Sequence, residues 1–151
     1  MSFTSVPFFI TYADNPELAL CAEDSMKGAP LVLRPLQGNM LALFNVDFVS
    51  GLFGLATSGN QLVIGAEQIE LGSPLKMQLL DDADKDKQRW DIFSAPGDII
   101  SYADPTLAIG LCAGTDKLRP LELTELDFDR YPQWILRPFT VVRPKAAANY
   151  A

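Results

Sequence analysis

The sequence predicts an all-β domain assembled from three copies of one unit of about forty residues. The first observation behind this is a repeat. Phe9-Ile-Thr-Tyr-Ala-Asp14 followed by Leu20-Cys-Ala22 returns as Ile99-Ile-Ser-Tyr-Ala-Asp104 followed by Leu111-Cys-Ala113. A middle copy stands between them: Cys21-Ala-Glu-Asp24 ahead of Gly28-Ala-Pro30 lines up with Gly65-Ala-Glu-Gln68 ahead of Gly72-Ser-Pro74. The second observation is that each copy closes on an aromatic residue, namely Phe44, Trp90 in Gln88-Arg-Trp90 and Trp134 in Pro132-Gln-Trp134. The third is a strand-and-turn rhythm throughout. The copies span residues 8–47, 51–94 and 97–139 of one domain, 1–151, and the tail Thr140–Ala151 carries no strong pattern.

Within the copies, apolar residues come in short runs such as Leu31-Val-Leu33, Leu62-Val-Ile64, Leu75-Lys-Met77 and Leu121-Glu-Leu123. Gly, Pro, Asn and Asp bound these runs at intervals of roughly eight to twelve residues, which is the spacing of short strands and tight turns. Prolines and glycines scattered along the chain leave few windows for a helix. The best of them, Ala66 to Leu71, contains β-branched Ile69 and is closed by Gly72-Ser-Pro74. Each copy supplies about four strands, too few to bury an apolar face alone, so three copies must share one core about a threefold axis. The twelve-stranded solution with that symmetry is the β-trefoil. A seven-stranded sandwich competes, but it leaves three copies in register unexplained. The closing aromatics Phe44, Trp90 and Trp134 are then expected in the shared core.

Nineteen acidic against twelve basic residues give a formal charge of -7 with no cluster of Lys or Arg, so nucleic acid and anionic membrane surfaces are poor partners. The chain contains no histidine, which excludes His-based triads, HExxH zinc sites and imidazole proton shuttles. Asp81-Asp-Ala-Asp-Lys-Asp-Lys87 has the alternating carboxylates of a calcium loop but, counted from Asp82, places Lys87 where the loop needs Gly and Phe93 where it needs a bidentate Glu. No phosphate-cradling loop, nucleophile elbow or Cys-x-x-Cys pair is present. The expectation is a protein without catalytic residues, metal or cofactor.

Cys21 and Cys112 occupy the same place in the words of copies one and three. Threefold symmetry puts such positions on different lobes, so a disulfide between them is not expected and both read as small buried apolar side chains. The N-terminal segment Met1–Ile10 lacks the basic and apolar regions of a secretory signal, and no apolar run approaches the ~20 residues a spanning helix needs. A soluble protein made in the cytoplasm, with non-classical release as the route outward, is the expectation.

Cys21-Ala-Glu23, then Gly28-Ala-Pro-Leu-Val-Leu33, then the closing aromatic resembles the repeat of ricin-B-type lectin domains, whose units run Cys-x-Asp, a Gly-Ala-x-Val-x-Leu strand and a closing Gln-x-Trp. The likeness covers nearly the whole chain. Gln-x-Trp stands intact in copy two, as Pro-Gln-Trp in copy three and as Ala42-Leu-Phe44 in copy one. Where that family often carries a second, disulfide-forming cysteine, the matching positions here are Leu36, Leu80 and Leu126, so packing replaces the crosslink.

The resemblance implies sites for galactose-type sugars, each made of a carboxylate that accepts from two hydroxyls, a stacking aromatic and an amide pair ahead of the closing Trp. The carboxylate position falls on Glu23, Glu67 and Gly114, and the stacking position on Arg34, Gln78 and Thr124, none of them aromatic. Tyr131 or Phe128 from another loop is the substitute for stacking. The amide pair falls on Lys87-Gln88, so the leading site is Glu67 with Gln88, Lys87 and Gln78, followed by Glu23 with Arg34. The implied function is a lectin whose weak sites for galactose- or N-acetylgalactosamine-type glycans gain avidity on clustered ligands. Pairing of two copies in a homodimer would double the sites. The alternative is a trefoil scaffold that binds proteins through its loops, such as a protease inhibitor or a toxin-complex component, which the missing stacking aromatics favour.

Overall fold

The structure is a computed structural model, and it describes residues 2–80, 85–111, 120–127 and 133–139. Each predicted copy contributes four strands. The first holds β1 (Phe8–Tyr12), β2 (Asn15–Ala22), β3 (Leu31–Pro35) and β4 (Leu43–Asp47). The second holds β5 (Leu52–Leu55), β6 (Leu62–Ala66), β7 (Leu75–Leu79) and β8 (Trp90–Asp91), and the third β9 (Ile100–Ser101), β10 (Leu107–Gly110), β11 (Glu122–Glu125) and β12 (Trp134–Pro138). Helical structure among the described residues is confined to single turns at Met40–Ala42, Ala56–Ser58 and α1 (Lys85–Gln88), as the density of Gly and Pro requires. No helix of the described residues is long and apolar enough to cross a membrane.

Six strands close a barrel. Antiparallel ladders join β12 to β1, β1 to β4, β4 to β5 and β8 to β9. The two remaining seams are closed by backbone bonds at matching places: Trp90 N–H donates to Gly51 O (2.9 Å) and Trp134 N–H to Gly97 O (2.8 Å), which also accepts from Gln133 N–H (2.9 Å). The other six strands form the hairpins β2–β3, β6–β7 and β10–β11. These hairpins meet at Leu31, Leu75 and Leu121, each fully buried, where Leu121 N–H donates to Leu31 O (2.8 Å) and Leu75 N–H to Leu121 O (3.0 Å). Pro30, Pro74 and Pro120 precede these leucines, at strand starts where a missing N–H does no harm. The threefold arrangement predicted from the repeat is therefore present.

Phe44, Trp90 and Trp134 lie in the core at 0%, 3% and 1% exposure. The indole N–H groups of Trp90 and Trp134 donate to Ile64 O (3.1 Å) and Ile109 O (2.9 Å), so each buried ring also satisfies its polar edge. Leu36, Leu80 and Leu126 are equivalent as expected: their N–H groups donate to Glu17 O (3.0 Å), Gln61 O (2.9 Å) and Thr106 O (2.9 Å). Leu36 packs in one cluster with Cys21, so apolar contact stands where a disulfide would. Burial pushes the Cys21 thiol up and outweighs its hydrogen bond with Asn39 and the nearby Arg34 charge, which disfavours the thiolate. Cys112 and the tail from Thr140 lie outside the described residues.

The repeat is real, but its most legible words are out of register. Phe44 pairs with Leu55, Trp90 with Ser101 and Trp134 with Tyr12, which makes Ser101 the counterpart of Tyr12, not Tyr102. In the hairpins Val32 pairs with Cys21, Lys76 with Gly65 and Glu122 with Gly110, so the counterpart of Cys21 is Gly110, not Cys112. Register follows the side chains that face the core, and Ile10, Phe53 and Ile99 share one buried cluster. A break in register between Thr11 and Tyr12 absorbs part of the offset. The two tyrosines accordingly differ. Tyr12 packs on Trp134 with ring centroids 5.6 Å apart, whereas Tyr102 is 54% exposed under the Arg89 guanidinium, 4.0 Å from its ring centre.

The turn from β4 to β5 is tied by Asp47, which is 1% exposed. Its carboxylate accepts from the N–H groups of Ser2 (2.9 Å), Val49 (3.0 Å) and Ser50 (3.2 Å). Burial raises its pKa, but these donors outweigh burial and hold it below the ordinary carboxylate value. A depressed folded pKa gives stabilisation that is complete above the unfolded value and is lost as pH falls through the folded one. Asp47→Asn is expected to cost about 1 to 3 kcal/mol at neutral pH, the worth of hydrogen bonds to a charged group. It should also flatten the decline of stability below ~pH 4. Urea melts of both proteins across that range test this, and parallel acid limbs would refute it.

Candidate functional site

The hairpin loops carry the predicted carboxylates. Glu23 follows β2 and Glu67 follows β6, and the same backbone bond anchors both: Glu23 N–H donates to Pro30 O (3.0 Å) and Glu67 N–H to Pro74 O (3.1 Å). The two glutamates thus occupy one structural position in two repeats, with both side chains turned to solvent. Lys76 on β7 sits 3.5 Å from the Glu67 carboxylate, an exposed pair whose worth is ~0–1 kcal/mol. Gly114, predicted as the third carboxylate position, lies outside the described residues, as do Phe128 and Tyr131. Since Gly110 is the counterpart of Cys21 and Gly65, the sequence position matching Glu23 and Glu67 is instead that of Cys112, also outside them.

Beside Glu67 the structure joins two of the predicted residues. Gln88, at the end of α1, is 1% exposed and uses its amide N–H groups on Gln78 Oε1 (3.1 Å) and Leu79 O (2.9 Å). Gln78 in turn donates to Ala66 O (2.9 Å), the carbonyl just before Glu67. Gln88 therefore holds Gln78 in place, with its amide N–H groups committed to protein acceptors. The cause is cross-strand: Gly65 has no side chain, and a Cβ there would lie 2.3 Å from the Gln78 amide carbon, so Gln78 can lie flat across β6. Lys87, the other member of the predicted amide pair, is half-exposed on α1.

Copy one differs at the same place because Cys21 stands where copy two has Gly65. Arg34 is half-buried and donates through Nη1 to the neighbouring Leu33 O (3.0 Å). The pairings Ala19 with Arg34, Val63 with Gln78 and Ala108 with Thr124 confirm that these three positions are equivalent. No aromatic ring stands at any of them.

Copy three has a cleft of about 350 Å³ lined by Leu111, Thr124, Glu125, Leu126, Asp127 and Gln133. Here the sequence reading missed Asp127 and Gln133. It sought a carboxylate after β10 alone, whereas Asp127 reaches the cleft from the end of β11. The available signal was Gln133 itself, an amide directly ahead of the closing Trp134. Among the described residues no group of three or more His, Cys, Asp or Glu side chains gathers to hold a metal ion.

No protein-family model matches the chain, and no curated protein sequence matches it significantly. Solved structures do. The mdaA-1 domain matches with a TM-score of 0.70 and 23% identity, over 91% of this chain and 92% of that one. The C-half of an earthworm R-type lectin, solved in complex with GalNAc, matches with a TM-score of 0.68 and 14% identity, over 89% and 99%. The β-trefoil lectin of the Vibrio vulnificus hemolysin/cytolysin, solved with N-acetyl-D-lactosamine bound, matches with a TM-score of 0.68 and 12% identity, over 93% and 100%. At these identities the likeness is one of fold, and with the barrel, the three hairpins and the threefold core it establishes that the chain is a β-trefoil whose structural neighbours include lectins of that fold.

Proposed function

We propose that this chain is a carbohydrate-binding module that takes galactose- or N-acetylgalactosamine-type glycans at its repeat loops, without a catalytic step. The observation that carries the proposal is the pair Glu23 and Glu67, two solvent-facing carboxylates anchored identically in two repeats. At the second site the Glu67 carboxylate accepts from two sugar hydroxyls, displacing Lys76. Gln78, whose amide gives one N–H to Ala66 O, offers the other to a sugar oxygen, and Lys87 donates from the rim. Glu23 and Arg34 form the weaker counterpart in the first repeat. GalNAc and N-acetyl-D-lactosamine in the neighbouring lectins support this sugar class. Without stacking rings each site is weak, and binding to clustered glycans relies on several sites engaged together.

A glycan array tests the reading directly. Binding to terminal galactose or GalNAc is expected, with Glu67→Gln weakening it about tenfold through loss of charge-assisted hydrogen bonds. Gln88→Ala should instead lower stability by ~1–3 kcal/mol and affect binding only through Gln78. A blank array with folded protein would refute the proposal. The absence of aromatics at Arg34, Gln78 and Thr124 favours a second reading, a protein-binding scaffold, which a protease-inhibition panel tests.

A further inference from the structure

The end of the barrel away from the three hairpins carries a second cleft, of about 400 Å³. The turn from β4 to β5 contributes Phe48 and the connection from β8 to β9 contributes Ile92, while Phe8 of β1 and Leu136 of β12 complete an apolar wall. Phe8 meets Phe48 edge-on at 6.0 Å, and Phe48 meets Phe93 at 6.0 Å, so the wall continues into an exposed aromatic rim. Its size falls within the range of small-molecule sites.

Among the described residues, Asp98 alone lines this cleft with a charge. Asp98 is 3% exposed, and its Oδ2 is buried without a hydrogen bond. Burial and then the neighbouring Asp127 charge push its pKa upward. An unpartnered buried carboxylate oxygen is costly and rare in folded proteins. The Trp134 indole that also lines the cleft cannot serve as its donor, because its N–H is committed to Ile109 O. The chain's net charge of -7 draws cations toward it.

We propose that this cleft is a binding site for an organic ammonium ion with an apolar body, the ammonium meeting the Asp98 carboxylate and the body lying against Phe8, Phe48 and Ile92. It is separate from the glycan sites and does not depend on them.

Titration with benzylammonium chloride, followed by the indole N–H resonance of Trp134, tests the site against benzyl alcohol as the neutral counterpart. Benzylammonium is expected to shift that resonance saturably and at least tenfold more tightly than the alcohol. Asp98→Asn should remove this preference while leaving the alcohol unchanged. Phe48→Ala, at a position 40% exposed, should weaken both ligands. Equal binding of amine and alcohol, an unchanged preference in Asp98→Asn, or no saturable shift would each overturn the proposal. If Asp98→Asn does not fold, the amine-to-alcohol ratio in the unmodified protein decides alone.

Discussion

Gly51→Ala is expected to abolish folding at ordinary temperature. Gly51 has φ +78, and a Cβ there would stand 2.3 Å from the Trp90 carbonyl oxygen and 2.9 Å from its nitrogen. These are backbone atoms of the seam that joins β8 to the barrel, so no side chain can swing aside. The same residue accepts from Trp90 N–H (2.9 Å) and donates to Asp47 O (2.8 Å), which ties the clash to the turn and the barrel together. Left-handed strain of about 1–2 kcal/mol adds to overpacking of about 3 kcal/mol or more. That sum approaches the whole stability of a marginal domain. Gly59→Ala is the control: φ is +66 there, but nothing lies within 4 Å, so only the strain of ~1–2 kcal/mol applies. Thermal melts of the two variants side by side test the argument, and closely similar midpoints would show that the seam tolerates the methyl group.

Trp134→Ala is expected to cost about 3–5 kcal/mol by emptying the core, and Trp134→Phe about 1–2 kcal/mol. The milder value has an internal precedent. Phe44 fills the counterpart position in the first repeat at 0% exposure, so a phenyl ring fits the shared core. What Trp134→Phe loses is the indole bond to Ile109 O (2.9 Å) and some area. Urea denaturation measures both costs. Equal losses for Ala and Phe would assign the stabilisation to the hydrogen bond and not to packing. Because Trp134 is buried, glycan binding by folded Trp134→Phe should be unchanged.

Much of the architecture was legible in the chain. Short alternating runs, evenly placed Gly and Pro, and three closing aromatics are local patterns, and they led to twelve strands and a shared aromatic core. Leu36, Leu80 and Leu126 were assigned to one position, and their matching backbone bonds agree. The site was legible only in part. Glu23 and Glu67 do share a position, whereas the partners of Gln88 were not legible because sequence shows residue type and not what a residue touches. Its donors are spent on Gln78 and Leu79.

By itself, then, the sequence determined the strand periodicity, the number of repeats and the apolar residues that close each one, since these depend on neighbours along the chain. Only the tertiary structure decided the register of the repeats, which slid Tyr12 onto Ser101 and Cys21 onto Gly110. It also decided the burial of Gln88 and the placement of Asp98 beside an apolar cleft. The physical reason is common to all three. Which face of a strand turns inward, and which polar group finds a partner there, is set by side chains arriving from distant strands, and no local pattern records them.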